Sequence, residues 1–310
     1  MSQIDRVHRA LTNRDPTRTV TLRNEFMVDM TRRLRAHAQD IKTSIVEFDV
    51  LGLRGREDIL TLAPADPGRF IYKTTAEKLD EFMVWLKGEQ TKGILEIIQT
   101  GTGPEPWTNT YIRSSYQKGM VEGRAQLRAL GVDVPMDTIQ GGGIAGAFQQ
   151  PMRAETAALL YSRTYEQLVG VTADMDAAIS RVLSQAIIEG VGPEEAARRL
   201  AKIEGVGITR ARLIARTEMV YAFNMGALTE YGMAEGIIGE QIFVKWMTAR
   251  DERVRKKGLR KWNHLRRHGK MFTQADGMSM LGDPNCRCFL PPYIPSIQGV
   301  MPLSRAANFR

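Results

Sequence analysis

Across residues 18–48 the apolar side chains Leu22, Phe26, Met30, Leu34, Ala38, Ile41, Ile45 and Phe48 recur every three or four positions. A strand would alternate with a period of two, so this spacing commits the segment to one face of a long helix. That face has to be covered by other elements. Arg23, Arg32, Arg33 and Arg35 lie mainly off the stripe. A basic amphipathic helix can rest on a membrane, but packing within a bundle is the expected use of one this long.

The same period returns downstream. Leu79, Phe82, Met83, Leu86, Ile94, Ile97 and Ile98 predict a helix over 75–100, and another is expected over 108–130, closed by Gly131 as a left-handed cap. Trp85, Trp107 and Tyr111 read as core anchors. Residues 58–72 hold Pro64, Pro67 and Gly68 and read as a loop, with a short strand at 69–72. Three consecutive glycines at 141–143 support neither regular structure and mark a linker. Beyond them helices are expected over 155–169, 174–189, from Pro193, and over 209–231 with Thr209 as cap and Gly232 as stop.

The character changes after residue 240. Gln241-Ile-Phe-Val-Lys-Trp-Met predicts a strand, and a second is expected at 286–290 after the turn Gly282-Asp-Pro-Asn. The expected fold is therefore mostly α: a helical N-terminal domain (1–139), a Gly-rich linker (140–151), and a helical bundle ending in a small α+β module (152–295), with a tail at 296–310. No apolar run approaches the roughly 18 residues of a membrane span, and the first residues lack the apolar core of a secretory signal.

Charge is unevenly placed. Residues 250–270 hold ten Lys and Arg against Asp251 and Glu252, a local +8 equal to the net charge of the whole chain. Arg250, Arg253, Arg255, Lys256, Lys257, Arg260, Lys261, Arg266, Arg267 and Lys270 are the candidates for contact with double-stranded DNA, independent of sequence. A solvated basic face is the alternative.

Cys286 and Cys288 are the only cysteines. A bridge across one residue would be strained, so free thiols made in a reducing cytoplasm are expected. On a strand, positions i and i+2 share a face. His264 and His268, four apart, would share a helix face, so the four residues form a candidate structural zinc site. Two small buried cysteines beside solvated histidines are the alternative. Glu218 borders an apolar helix face, and Arg216 projects elsewhere; its expected partner is a cation of the basic module, or else water. Phosphate loops, dinucleotide fingerprints and nucleophile elbows are absent from the sequence.

Ile214-Ala-Arg-Thr-Glu218, then Asn224 and Gly226, then Lys245-Trp-Met-Thr-Ala-Arg-Asp251-Glu-Arg-Val-Arg255, His264-Leu-Arg-Arg-His-Gly-Lys270 and Pro284-Asn-Cys-Arg-Cys288 stand in an order that resembles the phage Mu F-like head morphogenesis family, over roughly 155–292. Arg216, Glu218, Trp246 and Asp251 fall on those motifs and are expected to be structural. Here 256–263 intervene before His264. The resemblance implies a non-enzymatic minor capsid protein of a tailed bacteriophage, located in the virion. It would be associated with the portal and with the major capsid or scaffold protein, and would act in head assembly and DNA retention or ejection. A zinc-dependent nuclease and an ADP-ribosyltransferase-like effector are the competing classes.

Overall fold

The computed structural model describes residues 16–54, 75–101, 103–135, 151–251, 254–255, 263–299 and 302–305. They are mostly helical, with short antiparallel strands toward the C-terminus, the expected class. The expected strand at 69–72 and nearly all of the expected linker lie outside these residues. By compactness the chain divides into two units. One comprises Met1–Phe26, Thr108–Thr164 and Leu213–Arg310; the other comprises Met27–Trp107 and Tyr165–Arg212.

Helix α1 (Val20–Val46) buries Phe26, Met30, Leu34, Ile41 and Ile45, as its stripe requires, while Phe48 lies past its end and is exposed. Helix α2 is shorter than predicted, Thr75–Gly93. Ile97 and Ile98 belong instead to β1 (Ile97–Thr100), which turns back through Gly101 to pair antiparallel with β2 (Gly103–Pro106). The spacing 94, 97, 98 imitates a helical face, but β-branched residues next to a glycine turn favour a hairpin. Trp107 is buried and donates its indole N–H to the Ile94 carbonyl at 2.9 Å. Trp85 and Tyr111 are only partly buried.

Helix α3 (Asn109–Ala129) ends as expected. Gly131 takes φ +83, and Val132 N–H reaches back to the Leu127 carbonyl at 2.9 Å. The next two expectations need correction. Residues 155–169 and 174–189 lie in one helix, α4 (Pro151–Glu189), because a single Gly170 costs a helix only about 1 kcal/mol. Residues from Pro193 onward likewise form one helix, α5 (Pro193–Ile238). Thr209 does not cap it but donates to the Gly205 carbonyl at 2.8 Å, and the stop is Gly239 at φ +66 rather than Gly232.

In the first unit α3 and α5 approach closely. A Cβ on Gly119 would collide with the Phe223 carbonyl, one on Gly226 with the Tyr116 carbonyl, and one on Gly123 would lie 2.9 Å from Ala227 Cα. Small residues at these three contacts set the helix separation. Glu230 of α5 is fully buried between Arg124 (2.6 Å) and Arg153 (2.9 Å), so the charge is paired where water cannot reach it. In the second unit Arg33 pairs with Glu96, donates to the Gly93 carbonyl at 2.8 Å, and lies 4.4 Å over the Trp107 ring.

After α5 comes a three-stranded sheet with β3 (Phe243–Lys245) between β4 (Met271–Phe272) and β5 (Pro292–Tyr293). Val244 is opposite both Phe272 and Pro292. A bridge between Met247 and Phe289, with N–H···O bonds of 2.9 Å in both directions, continues the pairing beyond β3. Short helices α6 (His264–Arg267), α7 (Gln274–Ser279) and α8 (Pro295–Gln298) fill the connections. Trp246, Phe272, Leu281, Cys286, Cys288 and Leu290 pack with Leu228, Tyr231 and Ala234 of α5 in one core.

Candidate functional site

The motifs separated along the chain converge on the segment 285–290. Asn224, buried on α5, is a two-point clamp: its amide N–H donates to the Cys288 carbonyl at 3.1 Å, and its carbonyl accepts Leu290 N–H at 3.0 Å. About two helical turns earlier, Thr217 Oγ accepts Asn285 N–H at 3.1 Å. Arg287, between the two cysteines, makes a bidentate pair with Asp251 at 2.7 and 2.6 Å. The thiols are thereby left pointing inward while the intervening side chain is tied outward.

The expected second strand is not formed at the cysteines: Cys286 and Cys288 lie in a loop, and Phe289 alone of 286–290 forms a bridge, to Met247 just past β3. Tight turning at 283–286, where Asn285 takes φ +60 and Cys286 N–H donates to the Asp283 carbonyl, breaks the ladder. The side chains still meet. His264 Nδ1 is 3.1 Å from Cys288 Sγ and 3.6 Å from Cys286 Sγ, and all three residues are buried. On the opposite edge of the ring, His264 Nε2 is 2.8 Å from Asp283 Oδ2. Since a carboxylate only accepts, Nε2 carries the proton and Nδ1 offers its lone pair to the thiols' side. Trp246, fully buried, sets its ring edge-on to the imidazole at 5.9 Å, and Arg267 lies 4.9 Å over the same indole.

These three donors fit a metal ion. With Zn–S near 2.3 Å and Zn–N near 2.1 Å, neighbouring S and N ligands of a tetrahedron stand about 3.6 Å apart. The S···N separation of 3.6 Å to Cys286 equals that edge and the 3.1 Å to Cys288 is shorter, and the ligand atoms all lie within 4.8 Å of one another. The two thiols differ in their electrostatics. Hydrogen bonding from Cys288, against the cost of burial and with His264 alongside, holds the Cys286 thiol well below its usual range. Burial, reinforced by Cys286, pushes the Cys288 thiol up. Burial lowers the His264 pKa, but Asp283 and Cys286 outweigh it and the net shift is upward. One thiol of the pair is thus favoured as the thiolate and the other as the thiol, so a cation binding to both would release a proton.

His268 is not part of this cluster. Helix α6 ends at Arg267, so the expected shared face does not extend to it. Its Nδ1 accepts from the Thr248 backbone N–H at 3.1 Å, with Thr248 Oγ 3.0 Å away, and Nε2 faces the Arg250 Nε donor at 2.8 Å. Burial, then Arg250 and Lys245, lower its pKa to about 4. Both nitrogens are engaged, and no lone pair remains for a metal.

Glu218 also departs from expectation. Its partner is neither the basic module nor water but Arg163 of α4, at 2.7 and 3.2 Å, and the same guanidinium lies 4.4 Å over Tyr221. The pair pins α4 to α5. Arg216 is exposed and outside this network. Of the basic candidates, Arg250, Arg266 and Lys270 are exposed and Arg255 half-buried. Arg267 is 2% exposed, donates to the Met280 carbonyl at 3.2 Å and faces Asp283, so it is withdrawn from any phosphate. Arg253, Lys256, Lys257, Arg260 and Lys261 lie outside the described residues. The ends of that stretch are tied, with Leu265 N–H donating to the Arg255 carbonyl at 3.3 Å.

The motifs of this small strand-and-loop module, clamped to a long helix, meet at one thiol–imidazole cluster. Residues 177–291 match the family model described as Phage Mu protein F like protein, and the chain carries a phage Mu F-like region there. That family is one of structure and morphogenesis, which suggests a virion component and agrees with a non-enzymatic role. No curated protein and no solved structure matches the chain. Among the described residues no helix is long and apolar enough to cross a membrane.

Proposed function

We propose that this protein is a minor capsid protein of a tailed bacteriophage, bound at the portal or inner shell, with a zinc-stabilised C-terminal module that contacts packaged DNA. The observation that carries the reading is the Mu F-like match over 177–291, which spans the clamp, the cluster and the basic stretch together. The cluster would hold zinc through Cys286, Cys288 and His264, and a metal bound only by the folded state contributes its binding energy to folding. Exposed Arg250, Arg266 and Lys270 border the stretch 256–262, which holds four further cations and no acid. Neutralisation of backbone phosphates there would give affinity without sequence preference.

The reading is tested by quantifying the protein in purified full virions and in particles whose DNA has been ejected. Assembly should fail, or heads should fail to retain DNA, when the gene is deleted. Particles that assemble, fill and eject normally without it would reject the role. Robust nuclease or ADP-ribosylation turnover by the purified protein would favour the enzymatic classes instead.

A further inference from the structure

The turn that carries Asp283 is held at both ends from α5, by the neighbouring residues Thr217 and Glu218. Gly282 and Asn285 take left-handed backbone, φ +88 and +60, and the segment between them belongs to no strand. Its shape therefore depends on what it rests on. At one end Thr217 Oγ accepts Asn285 N–H at 3.1 Å, while giving its own proton to the Leu213 carbonyl at 2.8 Å. At the other end Gly282 lies against the Arg163–Tyr221 stack: a Cβ there would stand 3.2 Å from Arg163 Nη2 and 3.4 Å from Tyr221 Cδ2. Glu218 holds that stack together, accepting Arg163 Nε at 2.7 Å and Nη2 at 3.2 Å while the guanidinium lies 4.4 Å over the Tyr221 ring. The Arg163 side chain is 39% exposed, so without this carboxylate it would regain the rotamer freedom of a surface arginine.

Resting on the zinc reading above, we infer that Thr217 and Glu218 are positioning residues for the metal centre, acting through this turn on Asp283 and through Asp283 on His264. Glu218 orients Arg163; Arg163 and Tyr221 make the surface under Gly282; Gly282 leads directly into Asp283. The Asp283 carboxylate then receives the His264 Nε2 proton at 2.8 Å, which aims Nδ1 at the two sulfurs. The groups that support a ligand have to hold it within about 0.5 Å of its productive position. A turn that slides on a loosened Arg163 lengthens the Asp283–His264 bond and lets the imidazole rotate away from the metal. A carboxylate on an apolar helix face thereby acquires a use besides joining α4 to α5. The same route explains why the Thr217-Glu218 pair and the distant cysteines serve one centre.

The test measures zinc affinity by chelator competition in the full chain, purified under reducing conditions. Thr217→Val, Glu218→Gln and Tyr221→Leu should each weaken zinc about three- to tenfold, less than the roughly 10- to 100-fold of a group bonded to the ligand itself. Tyr221→Phe keeps the ring under the guanidinium and should bind zinc as the parent does. Each variant is then repeated on an Asp283→Asn background, where the route to His264 is already cut. There the further loss should vanish, a failure of additivity that a double-mutant cycle reads directly. Equal losses on both backgrounds would mean that these residues only support the fold, and would overturn the positioning role. Should Glu218→Gln not fold, Tyr221→Leu carries the same cycle. Variants that bind zinc as tightly as the parent also overturn the role but leave the zinc reading standing, whereas a parent that binds no zinc removes both.

Discussion

The carboxylate of Asp283 receives the Nε2 proton of His264 at 2.8 Å, and that single contact decides which nitrogen faces the two thiols. A carboxylate behind a ligating imidazole fixes both its tautomer and its orientation. Asp283→Asn should therefore lower zinc affinity roughly 10- to 100-fold while far-UV circular dichroism stays that of the parent. Chelator competition measures the first; equal affinity in the variant would remove Asp283 from this role.

Asn224 satisfies two buried backbone groups at once, so Asn224→Ala leaves the Cys288 carbonyl and Leu290 N–H without it. Each orphaned group costs about 1–3 kcal/mol. The variant should unfold at distinctly lower denaturant concentration, and hydrogen exchange at Leu290 should accelerate. Leu290 protection equal to the parent's would contradict the clamp.

Gly226→Ala forces a methyl group against the Tyr116 carbonyl on α3. Backbone cannot yield as a side-chain tip can, and overpacking of this kind costs about 1–3 kcal/mol or more. Gly232→Ala is the matched control, since a Cβ there meets nothing within 4 Å. Thermal unfolding should separate the two variants clearly, with Gly232→Ala equal to or above the parent.

His37 is 3% exposed and neither ring nitrogen has a hydrogen-bond partner. Burial, only partly opposed by Glu89, lowers its pKa to about 4 from 6.5. The unfolded chain thus binds a proton that the folded chain refuses between those values, so stability is complete above about pH 6.5 and falls as pH drops toward 4. The full shift corresponds to roughly 3 kcal/mol. Denaturant titrations from pH 7 to 4 should show this loss, and His37→Phe should flatten it.

Charge reversal of Lys256, Lys257, Arg260 and Lys261 to Glu should abolish sequence-independent binding to duplex DNA. The parent's affinity should fall steeply with salt, since each phosphate neutralised releases condensed counterions. A reversed variant that binds duplex as well as the parent would assign the stretch to another partner.

Much of this architecture was legible in the residues, and the misses share one cause. Periodicity reported the α1 stripe and the end of α3, because each is decided locally. It failed where tertiary contacts outvote local signals, as at Gly170 and Gly232, which interrupt nothing, and at Ile97, whose spacing imitates a helix. Cys286, Cys288 and His264 could be paired from residue type alone. The false inclusion of His268 came from assuming a helix that stops one residue earlier. Arg163 as the partner of Glu218 carried no sequence signal: the two are 55 positions apart on different helices.

A hydrogen bond of 3.3 Å joins Leu265 N–H to the Arg255 carbonyl, although the two stand well apart in sequence. That bond holds the start of α6, and His264 with it, beside Arg255. Doubling the intervening stretch adds only about 0.6 kcal/mol of closure entropy. The chain can therefore vary in length at this point without moving His264 relative to Arg255.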